Sequence, residues 1–126
     1  WAHGPRLVEH DVTGEAWRGF AAARELTEIA PGVVLVSLPG HSRGHAGVAV
    51  ETDDGWLLHA GDAYYDHVEV TGGQASRTIR LAQRLLAHDY QALLDNQARL
   101  TELRRTQAAD LRVFSAHDVG EFDALA

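Results

Sequence analysis

VVLVSLPGHSRGHAGVAVET, residues 33–52, is the stretch whose reading decides the fold. VVLVSL, residues 33–38, is a run of β-branched and aliphatic residues of the length of a buried strand, and Pro39-Gly40 ends it. AGVAVET, residues 46–52, reads as a second strand. Between them the loop HSRGH carries two histidines. Glycines at 40 and 44 let the backbone turn tightly and bring an imidazole nitrogen to a bound ion. Taken singly, such a histidine is more often a polar loop residue than a ligand.

Toward the C-terminus, Asp53-Asp54-Gly55 is a turn signal leading into WLLHA, residues 56–60, so the second and third strands form a hairpin. Gly61-Asp62 follows, and the aperiodic polar stretch to Gly73 reads as a surface loop. Ser76 caps a helix over 77–88, with Ile79, Ala82, Leu85 and Leu86 on one face. Asp89 caps a second helix with a stripe of Leu93, Leu100 and Leu103. LRVFSA, residues 111–116, reads as a last strand, followed by a tail helix around EFDALA.

Toward the N-terminus, Pro31-Gly32 punctuates the chain. EAWRGFAAARELTEIA, residues 15–30, is rich in helix formers and reads as a helix or a loop containing one, and PRLVEHDV, residues 5–12, as a short strand. The order predicts an α/β mixture of the α+β sandwich type, one domain over 1–126 with no repeat. A few strands with helices on one side leave the other sheet face uncovered, so something else is expected to cover it.

Composition narrows the function. The formal charge is −7 and every basic side chain is an arginine, so no affinity for nucleic acid is expected. Arg99, Arg104 and Arg105 are interspersed with Glu102 and Asp110, as on a solvated helix face. With no cysteine, a disulfide scaffold and a thiolate zinc site are both excluded, which leaves His, Asp and Glu as metal ligands. No apolar run approaches the roughly 20 residues that span a bilayer, so no membrane partner is expected and the location expected is cytoplasmic. The chain starts at Trp1 and has no methionine, so it is expected to be part of a longer protein.

His41, Asp62 and His117 each follow a strand in this reading, and strands of one sheet bring such ends together. Alone, Asp62 reads as a turn cap; jointly, the three read as a site. Tyr64 and Tyr65 either line a substrate pocket, where a phenol can stabilise an oxyanion, or bury their rings against the helices. His67 lies in the loop after Asp62, where it can face substrate. Asp118 either accepts a hydrogen bond from a ligand histidine or caps the tail helix, with capping favoured. His3, His10, His59 and His88 read as structural or exposed.

Three segments carry a resemblance to a family. PGHSRGH is similar to the PGHTPGH loop of the metallo-β-lactamase-fold hydrolase superfamily, LLHAGDAYY resembles its strand ending in Gly-Asp, and VFSAHD resembles its closing strand and histidine, all in the family's order. The resemblance is clearest from Val33 onward. It implies the C-terminal half of a four-layer αββα fold, with His41 a ligand of one metal, Asp62 bridging two and acting in catalysis, and His117 a ligand of the second. His45 would hold the loop by a hydrogen bond, and Arg43 stands where the family usually has proline. The upstream His-x-His-x-Asp-His motif is absent, and neither His3 nor His10 begins it. An N-terminal half of the same fold, or another subunit, would then cover the open sheet face.

The chemistry implied is hydrolysis. Two metal ions, zinc by default with iron or manganese compatible, would generate hydroxide near neutral pH to attack an ester, lactone or thioester of a small molecule. The rivals are a half-fold interaction module without catalysis and an iron-dependent dioxygenase of the same fold. The 126 residues alone are expected to be inactive and to bind metal weakly, because three ligands cannot complete two coordination shells.

Overall fold

The structure is a computed structural model that describes residues 3, 4, 7–11 and 13–125. Its sheet has six strands in sequence order: β1 (Glu15–Trp17), β2 (Phe20–Glu25), β3 (Val33–Ser37), β4 (Ala46–Thr52), β5 (Gly55–His59) and β6 (Leu111–Phe114). All neighbours are antiparallel except β5 and β6, which run parallel. Among the described residues the sheet is joined by three helices, α1 (Arg77–Leu86), α2 (Tyr90–Gln107) and α3 (Val119–Asp123), with a 3₁₀ turn at His67–Val70. Ser76, Asp89 and Asp118 cap the three helices through their side chains.

The helix expected within 15–30 is instead a β-hairpin. Arg18 and Gly19 have φ of 46° and 92°, the paired positive values of a two-residue turn whose twist matches its flanking strands. Arginine tolerates this position because its guanidinium bonds Gln107 and, at 2.5 Å, Asp110 Oδ2, while lying over the Trp17 and Trp56 rings. Strand β2 then pairs with β3 through Ala23↔Val36, Arg24↔Leu35 and Glu25↔Val34. Those ladder bonds outweigh the helix preference of the alanines, since intrinsic propensity yields to tertiary pairing. The short strand expected over 5–12 is not formed at 7–11, and residues 5, 6 and 12 lie outside the described residues.

One face of the sheet builds the core. Phe20, Ala23, Val34, Val36, Ala49, Leu58, Leu111 and Val113 are buried together with Leu100 and Leu103 of α2 and with Tyr64 and Val70. Helix α1 is rotated relative to the expected face. It turns Ile79, Ala82 and Gln83 inward and leaves Leu81, Leu85 and Leu86 59%, 73% and 68% exposed. The buried Gln83 amide bonds Glu69 at 3.2 Å on the inward face of the helix.

The opposite face is apolar and open. Register places Arg24, Leu35, Val48, His59 and Phe114 in one row, and Val33, Val50, Leu57 and Arg112 in the next. Val48 and Val50 are 36% and 38% exposed, and among the described residues no helix packs across them. No helix among the described residues is long and apolar enough to cross a membrane.

Candidate metal centre

Three strand ends converge at one edge of the sheet. His41 lies in the β3–β4 loop, Asp62 follows β5, and His117 follows β6. Parallel pairing of β5 with β6 sends both strands to the same end, where Ala60 N–H donates to Phe114 O (2.8 Å) and Ala116 N–H to Gly61 O (2.9 Å). The Asp62 carboxylate lies between the two imidazoles. His41 Nε2 is 3.4 Å from its Oδ2, and His117 Nε2 is 3.0 Å from its Oδ1. All three side chains are accessible, at 31%, 35% and 52% for His41, Asp62 and His117. Each imidazole nitrogen, with the carboxylate oxygen it faces, offers the nitrogen and oxygen donors that a borderline-soft divalent ion takes. Each histidine faces a different oxygen of the carboxylate.

His45 is held away from that space. Its Nε2 accepts the Asp62 backbone N–H at 2.9 Å, so the ring proton sits on Nδ1, which donates to Leu38 O at 2.8 Å. The imidazole thereby ties the histidine loop to the aspartate loop. Gly61 makes this possible: its φ is +57°, and an added Cβ would lie 2.7 Å from His45 Nε2. Gly40 has the same relation to α2, with φ +146° and an added Cβ 2.6 Å from the Leu93 backbone. The α2 N-terminus grips the loop there, since Asp89 N–H donates to Gly40 O (3.0 Å) and His88 N–H to His41 O (3.1 Å).

The two tyrosines separate. Tyr65 reaches the site, its ring edge-on to His117 and His41 at centroid distances of 4.7 and 6.2 Å and its hydroxyl 3.4 Å from His41 Nδ1. Burial, then the Asp62 and Glu69 charges, push its phenol above the ordinary value, so it keeps its proton near neutral pH. Tyr64 does not reach the site. It is fully buried and donates to Glu121 Oε2 at 2.7 Å, and burial followed by that carboxylate pushes its phenol well up. Glu121 also pairs with Arg104 at 2.5 Å and accepts the Ser115 N–H at 3.0 Å, which fixes the segment leading to His117.

Asp118 caps α3 by accepting the Glu121 N–H at 3.0 Å and takes both the backbone N–H of His67 and its Nδ1, at 2.7 and 2.8 Å. His67 therefore bonds Asp118 rather than facing the Asp62 carboxylate. Asp66, His67 and Asp118 offer ligand-type atoms within 4.8 Å of one another, but these bonds and the cap from Val68 N–H to Asp66 Oδ1 already account for the grouping. Burial raises the Asp118 pKa, but the bonds from His67 and Glu121 outweigh it and hold the carboxyl at about 2. The Asp118 bond in turn raises His67 above 6.5.

The pair's contribution to stability is therefore present from about pH 4 up to neutrality. It is lost on the acid side as pH falls through about 2, where Asp118 protonates, and on the basic side as pH rises through the raised His67 value. In an NMR titration His67 is expected to have a midpoint above 6.5, falling to the ordinary imidazole range in Asp118→Asn. An unchanged midpoint in the variant would refute the coupling.

Several supports of the site went unread in the sequence. Asn96 donates to Pro39 O (2.7 Å) and Gln97 to Ala63 O (3.0 Å), which anchors both ligand loops to α2. Their signal was present, because positions 96 and 97 share a helix face with Leu93 and Leu100, where a polar residue needs a buried partner. Glu69, Arg104 and Glu121 carried no comparable signal.

No family model matches the chain. It is 50% identical over 119 residues, 94% of its length, to the probable metallo-hydrolases Mb2322c of Mycobacterium bovis and Rv2300c of Mycobacterium tuberculosis. It spans 38% of the length of those relatives. Among solved structures it is similar to an N-acyl homoserine lactone hydrolase with N-hexanoyl-L-homoserine bound at its catalytic metal centre. The TM-score is 0.56 at 24% identity, over 81% of this chain and 36% of that one. An AiiA variant of B. thuringiensis with N-decanoyl-L-homoserine at its active site matches with the same score, identity and coverage. The converging strand ends and the mixed sheet with helices on one face agree with these similarities: the chain has part of the metallo-β-lactamase fold of those lactone hydrolases, and its sequence is similar to about a third of the mycobacterial probable metallo-hydrolases.

Proposed function

We propose that residues 1–126, as one partial domain, supply His41, Asp62 and His117 to the binuclear metal centre of a cytoplasmic hydrolase that opens an ester, lactone or thioester of a small molecule. The observation that carries this reading is the Asp62 carboxylate with a different imidazole Nε2 at each oxygen. The names of the relatives support the metal and the hydrolytic class, and the lactone-derived ligands of the structural neighbours support the substrate class. When bound, the metal, taken to be two zinc ions, polarises the substrate carbonyl and acidifies a water for attack near neutral pH.

The chain's own residues do the rest. His41 and His117 offer ring nitrogens, and Asp62 offers one oxygen to each side. His45 fixes the Asp62 backbone and thereby the carboxylate. The protonated Tyr65 hydroxyl, beside both histidines, is placed to donate a hydrogen bond to charge developing on a substrate oxygen.

An N-terminal half of the same fold, covering Val48, Val50, Leu57 and Phe114, would complete both the ligand set and the sandwich. On this reading the isolated 126 residues are inactive. The test is elemental analysis of the full-length protein purified without chelator. About two equivalents of zinc are expected, falling by about one in His41→Ala together with the hydrolysis of a lactone. Metal-free wild-type protein would favour the interaction-module reading, and stoichiometric iron with oxygen consumption would favour the dioxygenase.

A further inference from the structure

Tyr65 sits in an irregular stretch after β5, where His45 ties Asp62 and Gln97 ties Ala63 but neither reaches Tyr65. Its hydroxyl contact with His41 is long, at 3.4 Å, so the direction of the ring is set by the main chain from which it projects. At Tyr65 and the residue after it, both backbone N–H groups go to one side chain. Glu69 Oε2 accepts the N–H of Tyr65 at 2.8 Å and that of Asp66 at 3.3 Å. The second bond belongs to the capping box of the 3₁₀ turn, whereas the first, shorter bond reaches one residue beyond it.

The same oxygen also receives Gln83 Nε2 at 3.2 Å. Gln83 is 3% exposed, on a helix that leaves three leucines in solvent, so α1 commits its buried position to an amide that holds this carboxylate. We propose that Glu69, held from α1 by Gln83, is the positioning residue that fixes Tyr65 against the two histidines of the metal centre. The inference rests on the hydrolase reading for its catalytic consequence and on geometry alone for the placement of the ring.

The experiment uses the full-length protein. Glu69→Ala is expected to lower kcat for lactone hydrolysis by about 100-fold at unchanged metal content, as displacement of a reacting group by about 1 Å does. Glu69→Gln, which keeps an acceptor, is expected to restore most of the rate. In a Tyr65→Phe background the added loss from Glu69→Ala is expected to shrink to about 2-fold, because the two side chains act as one unit. A merely structural role would give independent, multiplying losses.

A readout independent of activity is ¹⁹F NMR of protein labelled with fluorotyrosine, assigned with Tyr65→Phe. The Tyr65 resonance is expected to shift and narrow in Glu69→Ala, hold in Glu69→Gln, and leave those of Tyr64 and Tyr90 in place. Should Glu69→Ala fail to fold, Glu69→Asp, which withdraws the carboxylate by one methylene, carries the same expectations. An unmoved Tyr65 resonance, or multiplying kcat losses in a metal-loaded protein, overturns the proposal. Wild-type protein with neither metal nor hydrolysis overturns the hydrolase reading instead, and the NMR result still decides the placement.

Discussion

Asp62→Asn in the full-length protein is expected to lower kcat/KM for lactone hydrolysis by about 1000-fold or more and to remove at least one bound metal, with the fold intact. The reason lies in the two carboxylate oxygens. Each faces a different Nε2, at 3.4 and 3.0 Å, and an amide has only one oxygen to offer. Whichever way the amide lies, its NH₂ meets one ligand position. The effect on folding is small because the backbone N–H of Asp62, not its side chain, makes the structural bond, to His45 Nε2 at 2.9 Å. A melting temperature within a few degrees of wild type would fit such a partly exposed position.

His45→Ala provides the contrast, since it leaves all three proposed ligands in place and removes only the acceptor that orients one of them. Its expected loss of metal affinity is about 10- to 100-fold. Activity in Asp62→Asn close to wild type, measured with metal present in excess, would overturn the bridging role and with it the hydrolase reading.

The parts of this site legible in the sequence are those encoded locally. Residues 33–38 and 46–52 read as strands because β-branched runs end at Pro39-Gly40 and resume after the loop, and the structure forms β3 and β4 there. Leu93, Leu100 and Leu103 read as one stripe because helical spacing is intrinsic to the segment. What was not legible depends on distant partners. Strand β2 is held by pairing with β3, and its hairpin turn is hidden because Arg18, not asparagine or aspartate, takes the first positive φ. The partner of the inward Gln83 on α1 is Glu69, fourteen residues before it. The fixing of the His117 segment follows from Arg104 and Glu121 meeting across α2 and α3. A carboxylate in a loop carries no mark of which backbone N–H groups it will collect.

The open sheet face leads to the second large effect. Val48→Lys is expected to leave the isolated 126 residues almost unchanged in stability, within about 0.5 kcal/mol, while lowering that of the full-length protein by several kcal/mol. In the isolated chain Val48 is 36% exposed between Leu35 and His59, so a lysine can lie along the apolar row and keep its ammonium in water. If the upstream half of the fold covers this face, the same ammonium is sealed between two apolar layers with no carboxylate in the row to pair with it.

Ala49→Lys is the control. Ala49 points to the helix-covered face and is fully buried, so that substitution should destabilise both forms. Thermal unfolding of the two variants, each in both forms and at several concentrations, separates the outcomes. A loss confined to full-length Val48→Lys and independent of concentration fits a cover within the same chain. A loss that varies with concentration fits a second subunit on this face. Equal tolerance of Val48→Lys in both forms would mean that the face stays open to water, leaving the row Leu35, Val48, His59 and Phe114 in need of a different explanation.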